Sequence, residues 1–425
     1  MLVTLLFATF AVCLFLGVPV GIALGLASAV YLMGADIDLS VVAQYAYAGM
    51  DSFVLLCIPG FVLAGNLMNG GGITDQIVRF GNSLVGHIRG GLGLANVTGS
   101  MIFAGISGTA VAETASIGSV MIPAMRKAGY DAPFAAAVTA AASTVGPIIP
   151  PSVPMIIVGT LSGLSVGKMF LAGAIPGLLL GIGMMITVYI VSVRRAYPRG
   201  EWAGFGEILR SSRGAFWALL MTAVILYGIV GGLFTPTEAS VVAAIYALVV
   251  GLFVYKGFHI RQLPAILLES AIGSGALILL VGFANVFGWI LTSEQIPQAI
   301  AAAMLALTTN KYLILLLINI LLLIVGTFME TIAALIILFP PLLAVALAVG
   351  VDPIHFAIIA VLNLMIGLTT PPVDVCLFVA ANIANASLGS VSKAIVPFLV
   401  CNIIVLLIVS YVPWVSLWLP SLYFK

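Results

Sequence analysis

Charge is the scarcest thing in this sequence. Only 7% of the residues are Asp, Glu, Lys or Arg, 63% are hydrophobic, and the mean hydropathy is +1.28. A soluble domain carries about 25% charged residues. The deficit excludes a water-facing surface over most of the molecule. The net charge of +1 excludes a polyanion partner, nucleic acid included. The four cysteines, Cys13, Cys57, Cys376 and Cys401, stand singly in apolar stretches and form no CxxC pattern. They read as small core hydrophobes. There is no HExxH, no GxGD and no nucleotide-binding P-loop. Without such a motif, any energy-requiring step must draw on an ion gradient or a partner. The opening MLVTLLFATF lacks the basic start of a signal peptide and reads as a membrane segment that stays.

What is present is apolar sequence in spanning lengths, about 20 residues each. Single spans are expected over 2–33, 41–69, 172–193, 214–233, 237–255, 263–292 and 395–420. Regions 90–126 and 312–349 each hold two apolar helices around a short polar centre. Regions 132–163 and 353–385 are each one helix broken in the middle. Placing the Arg-rich loop 194–213 in the cytoplasm tests this map. Arg194, Arg195, Arg199, Arg210, Arg213, Arg126, Lys127, Lys256, Arg261, Lys393, Arg79 and Arg89 then fall inside. That is twelve of fifteen basic residues on one face, as cytoplasmic loops require.

The two halves echo each other. Glu113 and Pro123 recur as Glu330 and Pro340. Asp131, Gly146, Pro150, Pro151 and Pro176 recur as Asp352, Gly367, Pro371, Pro372 and Pro397. A stripe at Ile73, Ile77, Phe80 and Leu84 recurs at Ile296, Ile300, Ala303 and Leu307. These short stripes read as arms lying on the membrane surface. Five spans separate the two-helix regions, and an odd number inverts the second unit relative to the first. The expected fold is therefore an all-α polytopic membrane protein, one unit over 1–425. Its repeats are 1–205 and 206–425, each with a helical hairpin, re-entrant or spanning, and a broken helix. Transport elements fall at 90–165 and 312–386, and scaffold elements at 1–69, 172–292 and 395–420. Inverted repeats with broken helices are the architecture of secondary transporters.

Non-helical backbone at membrane depth persists only where it is buried in protein or lines a wet cavity. Four such places occur: 105–113 (GISGTAVAE), 144–154 (TVGPIIPPSVP), 326–331 (GTFMET) and 366–374 (IGLTTPPVD). Proline frees a carbonyl upstream, and hydroxyls add oxygens. A desolvated cation needs such a cage. About two Na⁺ sites are expected, drawn from Ser107, Gly108, Thr144 and Gly146 in one half. Gly326, Thr327, Gly367, Thr369 and Thr370 supply the other. Exposed helix N-termini favour an anion. Ser107, Thr109, Glu113, Ser152, Glu330 and Asp374 are the candidates for holding it. For Glu113, Glu330 and Asp374 the competing role is N-capping of the next half-helix. Capping is the stronger reading for Glu238 in FTPTEA. Glu269 stays open between a buried contact and a loop position. Gly105-Ile106-Ser107-Gly108 matches the GxSG of intramembrane serine proteases, with His355 as the sole candidate base. A channel is the other alternative.

The sequence resembles the large membrane subunit of the tripartite ATP-independent periplasmic (TRAP) transporters. The resemblance is carried by IPGFVLAGNLM (58–68), FAGISGTAVAETASIGSVMIPAMRKAGYD (103–131), GPIIPPSVPMIIVG (146–159), FTPTEASVVAAIYAL (234–248) and GVDPIHFAIIAVLNLMIGLTTPPVDVCLFVAANIA (350–384). The family pattern has an aspartate where this chain has Glu330. The resemblance implies a Na⁺-driven, elevator-type importer of a bacterial inner membrane. Its partners would be a small four-helix membrane subunit, a periplasmic solute-binding protein and the surrounding lipid. Its substrate would be a small organic anion, a sialic acid or a four-carbon dicarboxylate.

Overall fold

The computed structural model describes residues 2–107, 109–327, 329–371 and 375–424, without the side chains of 105–107. The described residues form twenty α-helices. In the first part of the chain these are α1 (Leu2–Phe15), α2 (Val20–Gly34), α3 (Ser40–Met50), α4 (Cys57–Gly70), α5 (Ile73–Val85), α6 (Gly91–Ser107) and α7 (Ala110–Lys127). Next come α8 (Ala132–Ser143), α9 (Val153–Ser162), α10 (Val166–Arg194), α11 (Gly204–Val230), α12 (Pro236–Val249) and α13 (Leu263–Ser293). The last are α14 (Ile296–Leu307), α15 (Lys311–Gly326), α16 (Thr331–Ala348), α17 (Pro353–Gly367), α18 (Val375–Ala384), α19 (Leu388–Tyr411) and α20 (Trp414–Tyr423). Among the described residues six helices are long and apolar enough to cross a membrane.

One packed group consists of α1–α4 and α11–α13. The chain from α3 to α4 runs as a single interrupted rod, antiparallel to α13. The Tyr45 carbonyl accepts from Asn285 Nδ2 at 2.8 Å, Asn66 Nδ2 donates to Ser270 Oγ at 2.9 Å, and Gly70 meets Ile266. That matches the one span expected over 41–69. The single span expected over 2–33 is instead a hairpin. Gly17, at φ +77°, and Pro19 reverse the chain, and Gly34 returns against Leu2 and Leu5. Helices of 14 and 15 residues reach only about 21 Å, short of a bilayer core of about 30 Å.

The second group holds the two hairpins, α6–α7 and α15–α16, with α8–α10 and α17–α20. Helix α10 gives it a ruler: 29 residues, about 43 Å. At its C-terminal end Ser192 covers Gly90, where the first hairpin opens, and Arg195 bonds Asp131, just beyond that hairpin, at 3.1 Å. At its N-terminal end Gly167 meets Phe424, past α20. Ser416 of α20 lies 2.6 Å from His355 in the first turn of α17, and Lys311 Nζ donates to the Gly350 carbonyl at 3.1 Å across the mouth of the second hairpin. The two hairpins therefore open toward opposite ends of α10. The regions expected to be broken are broken. Both α8–α9 and α17–α18 are pairs of short helices, and the described residues between them, 144–152 and 368–371, are not helical.

Three boundaries differ from the sequence reading. The span expected over 214–233 begins at Gly204, because the Arg79–Glu207 ion pair (2.7 Å) and the Ser83–Ser211 hydroxyl contact (2.8 Å) extend α11 along α5 beyond its apolar part. The span expected over 395–420 runs from Leu388 to Tyr411 and stops before Pro413, and α20 then packs on α10 and α17. Helices α10 and α19, within the stretches expected to be scaffold, pack mainly on the hairpin group, with α10 also touching α11. Their small residues explain this: Gly181 and Gly183 of α10 admit Met101 of the first hairpin and Cys401 of α19.

Candidate functional site

Each hairpin meets one broken helix at a glycine. In the second half the glycines are back to back. A Cβ on Gly367 would lie 2.6 Å from the Cα of Gly326 and 2.8 Å from its carbonyl oxygen. The tip of α15 thus touches the C-terminal end of α17 through backbone alone. Around this contact Thr327 is buried and donates to the Ile324 carbonyl at 2.7 Å. Thr369 and Thr370 donate to the Ile366 carbonyl at 3.0 and 2.9 Å. Each hydroxyl directs its proton back along its own helix and keeps lone pairs to offer a cation. Gly326, Thr327, Gly367, Thr369 and Thr370 are therefore drawn into one neighbourhood. Glu330 is exposed and caps α16, its Oε2 accepting from Ala333 N–H at 3.1 Å. Asp374 lies outside the described residues.

The first half uses a side chain where the second uses backbone. Gly146, in the break between α8 and α9, faces the carboxyl of Glu113, and a Cβ there would lie 2.1 Å from Oε2. Glu113 is fully buried, and neither carboxyl oxygen has a hydrogen-bond partner of ordinary geometry. The Ser100 hydroxyl faces it and is likewise unpaired. Thr114 Oγ1 donates to Ser143 Oγ at 2.6 Å on the same side. Buried polar groups are nearly always paired, and here the Glu113 carboxyl and the Ser100 hydroxyl have only each other to face. The buried Thr144 donates to the Ala141 carbonyl at 2.7 Å. Ser152, expected among the anion ligands, is fully buried and caps α9: it accepts from Met155 N–H at 3.3 Å and donates to the Pro147 carbonyl. The Ser107 side chain and Gly108 lie outside the described residues.

Thr109, by contrast, lines a cavity. This space of about 320 Å³ separates the first hairpin from α4 and α13. Thr109 and Ser116 face it from α7; Asn66 and Asn69 face it from α4, and Glu269 from α13. Thr109 is the N-cap residue of α7 and makes no side-chain cap hydrogen bond there. Glu113 does not reach this space. It points from α7 into the hairpin group, against Gly146 of the break. A second cavity, of about 430 Å³, separates the second hairpin from α3 and α13, with Tyr45, Trp289, Thr292 and Pro340 on its walls. Both cavities lie on the boundary between the two packed groups. His355 bonds Ser416 and the Ser410 carbonyl at the end of α10 opposite the first hairpin's mouth, which removes the base that a protease reading of Ser107 requires.

Residues 7–415 match the family model described as "Tripartite ATP-independent periplasmic transporter, DctM component". The chain belongs to this DctM family. It is 43% identical to the sialic acid TRAP transporter large permease protein SiaM of Vibrio cholerae, with 96% of each chain covered. It is 43% identical to the C4-dicarboxylate TRAP transporter large permease protein DctM of Pseudomonas aeruginosa, with 87% of each covered. It is 44% identical to the isethionate TRAP transporter permease protein DctMQ of Oleidesulfovibrio alaskensis, over 96% of this chain and 65% of that longer one. A crystal structure of the YdaH transporter of Alcanivorax borkumensis has the same fold: TM-score 0.61, 16% identity, 90% of this chain and 88% of that one covered. As a DctM chain it is a large permease subunit and not an enzyme, a multi-pass protein of the inner membrane.

Sequence reasoning missed several polar residues of this DctM chain. Asn363 Nδ2 donates to Asn319 Oδ1 at 2.8 Å, and Asn319 Nδ2 donates to Ser410 Oγ at 2.9 Å, tying α15, α17 and α19 together inside the hairpin group. Asn96 does the same for α6 and α8 through Thr139 at 2.7 Å. The available signal was a lone carboxamide inside an apolar run, which a membrane interior tolerates only when it is paired. Glu238 behaves as expected, forming a capping box with Thr235.

Proposed function

We propose that this chain is the large subunit of a Na⁺-coupled importer that works as an elevator. Its hairpin group, including α10 and α19, would slide against α1–α4 and α11–α13, with α5 and α14 as bracing arms. The observation that carries the reading is the pair of hairpins opening toward opposite ends of α10, each meeting a broken helix at a glycine. That placement supports an inverted repeat, and the two cavities would leave room at the boundary for relative motion. At each tip and break one helix ends and another begins. The ends of α6, α8, α15 and α17 offer carbonyls to a cation, and the starts of α7, α9, α16 and α18 offer N–H groups to an anion. Two Na⁺ would bind, one at Ser107, Gly108, Thr144 and Gly146, with Glu113 beside it. The other would bind at Gly326, Thr327, Gly367, Thr369 and Thr370. The substrate is an organic anion of the kinds named for the relatives, a sialic acid or a four-carbon dicarboxylate. A small membrane subunit and a periplasmic binding protein would complete the carrier.

The orientation is checked with single cysteines at Lys127 and Thr309, both exposed. Lys127→Cys should react with an impermeant thiol reagent from the cytoplasmic side only, and Thr309→Cys from the outer side only. Reaction of both from one side would remove the inverted repeat. The coupling is checked by uptake into proteoliposomes that also hold the small subunit and binding protein. Ser107→Ala and Thr370→Val should each raise the Na⁺ concentration for half-maximal uptake about fivefold, the worth of one oxygen ligand of about 1 kcal/mol. Equal uptake under a K⁺ gradient would refute Na⁺ coupling, and flux that does not saturate would make the protein a channel.

A further inference from the structure

The cavity beside the first hairpin has an unusual chemical balance for an anion carrier. Among the described residues that line it there is no lysine, arginine or histidine, and there is one carboxylate, Glu269. Asn66 gives one amide N–H to Ser270, and the Asn69 Oδ1 accepts from the Thr74 hydroxyl, so the two carboxamides offer this space both acceptors and donors. The Ser116 hydroxyl is buried and unpaired. Among the described residues the one formal charge on these walls is therefore the carboxylate of Glu269. On the opposite wall the N-terminus of α7, at Thr109, suits an anion. A volume of about 320 Å³ falls in the range of small-molecule sites. Glu269 lies in the second turn of a membrane-crossing helix and opens into this space rather than to an ion-pair partner. An ionisable residue so placed is functional by default.

We infer that Glu269 is the specificity-determining residue of this cavity. It selects organic monoanions that carry several hydroxyl or ammonium donors and rejects dianions. This rests on the carrier reading above and names the substrate class within it. The geometry makes the two ends of the substrate unequal. Its one carboxylate sits against the α7 N-terminus. The rest of the molecule then faces Glu269, Asn66 and Ser116, where donors are satisfied and a second carboxylate is repelled. Across a space of this size, at an effective dielectric of about 20, that repulsion lowers dianion affinity on the order of tenfold or more. The substrates named for the relatives include both classes, since sialic acid is a hydroxyl-rich monoanion and the four-carbon dicarboxylates are dianions.

The test is equilibrium binding to the purified chain in nanodiscs with Na⁺. The probes are N-acetylneuraminate and gluconate as donor-rich monoanions, and succinate and malate as dianions. With Glu269 intact, at least one monoanion should bind tenfold or more tighter than either dianion. Glu269→Gln should shrink that ratio about tenfold, chiefly through tighter dianion binding. Glu269→Asp, which keeps the charge, should preserve it; this separates charge from packing. If anions bind with Na⁺ but the ratio is the same in Glu269→Gln, the inference fails and the carrier reading stands. If none of the four anions binds and none is taken up by the reconstituted complex, the anion-carrier reading fails and takes this inference with it.

Discussion

Gly367→Ala is expected to reduce Na⁺-driven uptake at least a hundredfold. The new methyl would stand 2.6 Å from the Cα of Gly326 and 2.8 Å from its carbonyl oxygen. Both are backbone atoms, so no side chain can turn aside. The second hairpin must retreat from α17, and overpacking of this kind costs about 1–3 kcal/mol. The functional loss should exceed that figure, because the displaced groups are the carbonyl and hydroxyl oxygens proposed to replace a cation's water. Desolvating a cation is costly unless those oxygens are in register. Gly389→Ala is the control, since nothing lies within 4 Å of the added methyl. Uptake and thermal unfolding of both variants check this. Near-normal uptake by Gly367→Ala would mean that the tip and the break need not touch.

Gly146→Ala should be nearly as damaging, for a different reason. Its methyl would lie 2.1 Å from Glu113 Oε2, so the fully buried carboxyl must swing away from the break and out of its place in the polar cluster. Stability should fall by roughly 2 kcal/mol or more, with uptake reduced at least tenfold. The double variant Gly146→Ala/Glu113→Ala distinguishes packing from chemistry. Removing the carboxyl removes the clash, so the unfolding temperature should recover most of its loss, a non-additivity expected of residues in contact. Uptake should not recover, because the unpaired carboxyl and the Ser100 hydroxyl opposite it belong to the polar cluster that the transported cation would complete. Recovery of both stability and uptake would reduce Glu113 to a packing residue.

Much of the molecule was legible because a bilayer leaves few ways to place a polar group. The doubled prolines Pro150-Pro151 and Pro371-Pro372 had to fall where a helix breaks, and Lys, Arg and apolar runs had to sort by depth. The matched spacing of Glu113 with Glu330 and of Gly146 with Gly367 located both hairpins and both breaks, and the parity of the intervening spans gave their opposed directions. The turn at Gly17 was harder to weigh. A left-handed glycine inside 32 apolar residues (2–33) looks like a kink until Gly34 is seen against Leu2.

The sequence by itself determined the class, the family, the boundaries of the broken elements and the pool of oxygen-bearing residues, because these follow from local composition and spacing against a fixed hydrocarbon thickness. Only the tertiary structure decided how that pool is divided. Glu113 and Glu330 hold the same place in the repeat, yet one is buried against Gly146 while the other caps α16 at the surface. Ser152 and Thr109 both precede half-helices, yet one is sealed in a cap and the other lines a cavity. Glu269 stood out as a carboxylate inside an apolar span, but its role stayed open, since it faces Thr109 across helices more than 150 positions apart in the chain. Which face of a helix meets a neighbour, and how closely, is set by the packing of distant small residues such as Gly181, Gly326 and Gly367, and spacing along one chain does not encode that distance.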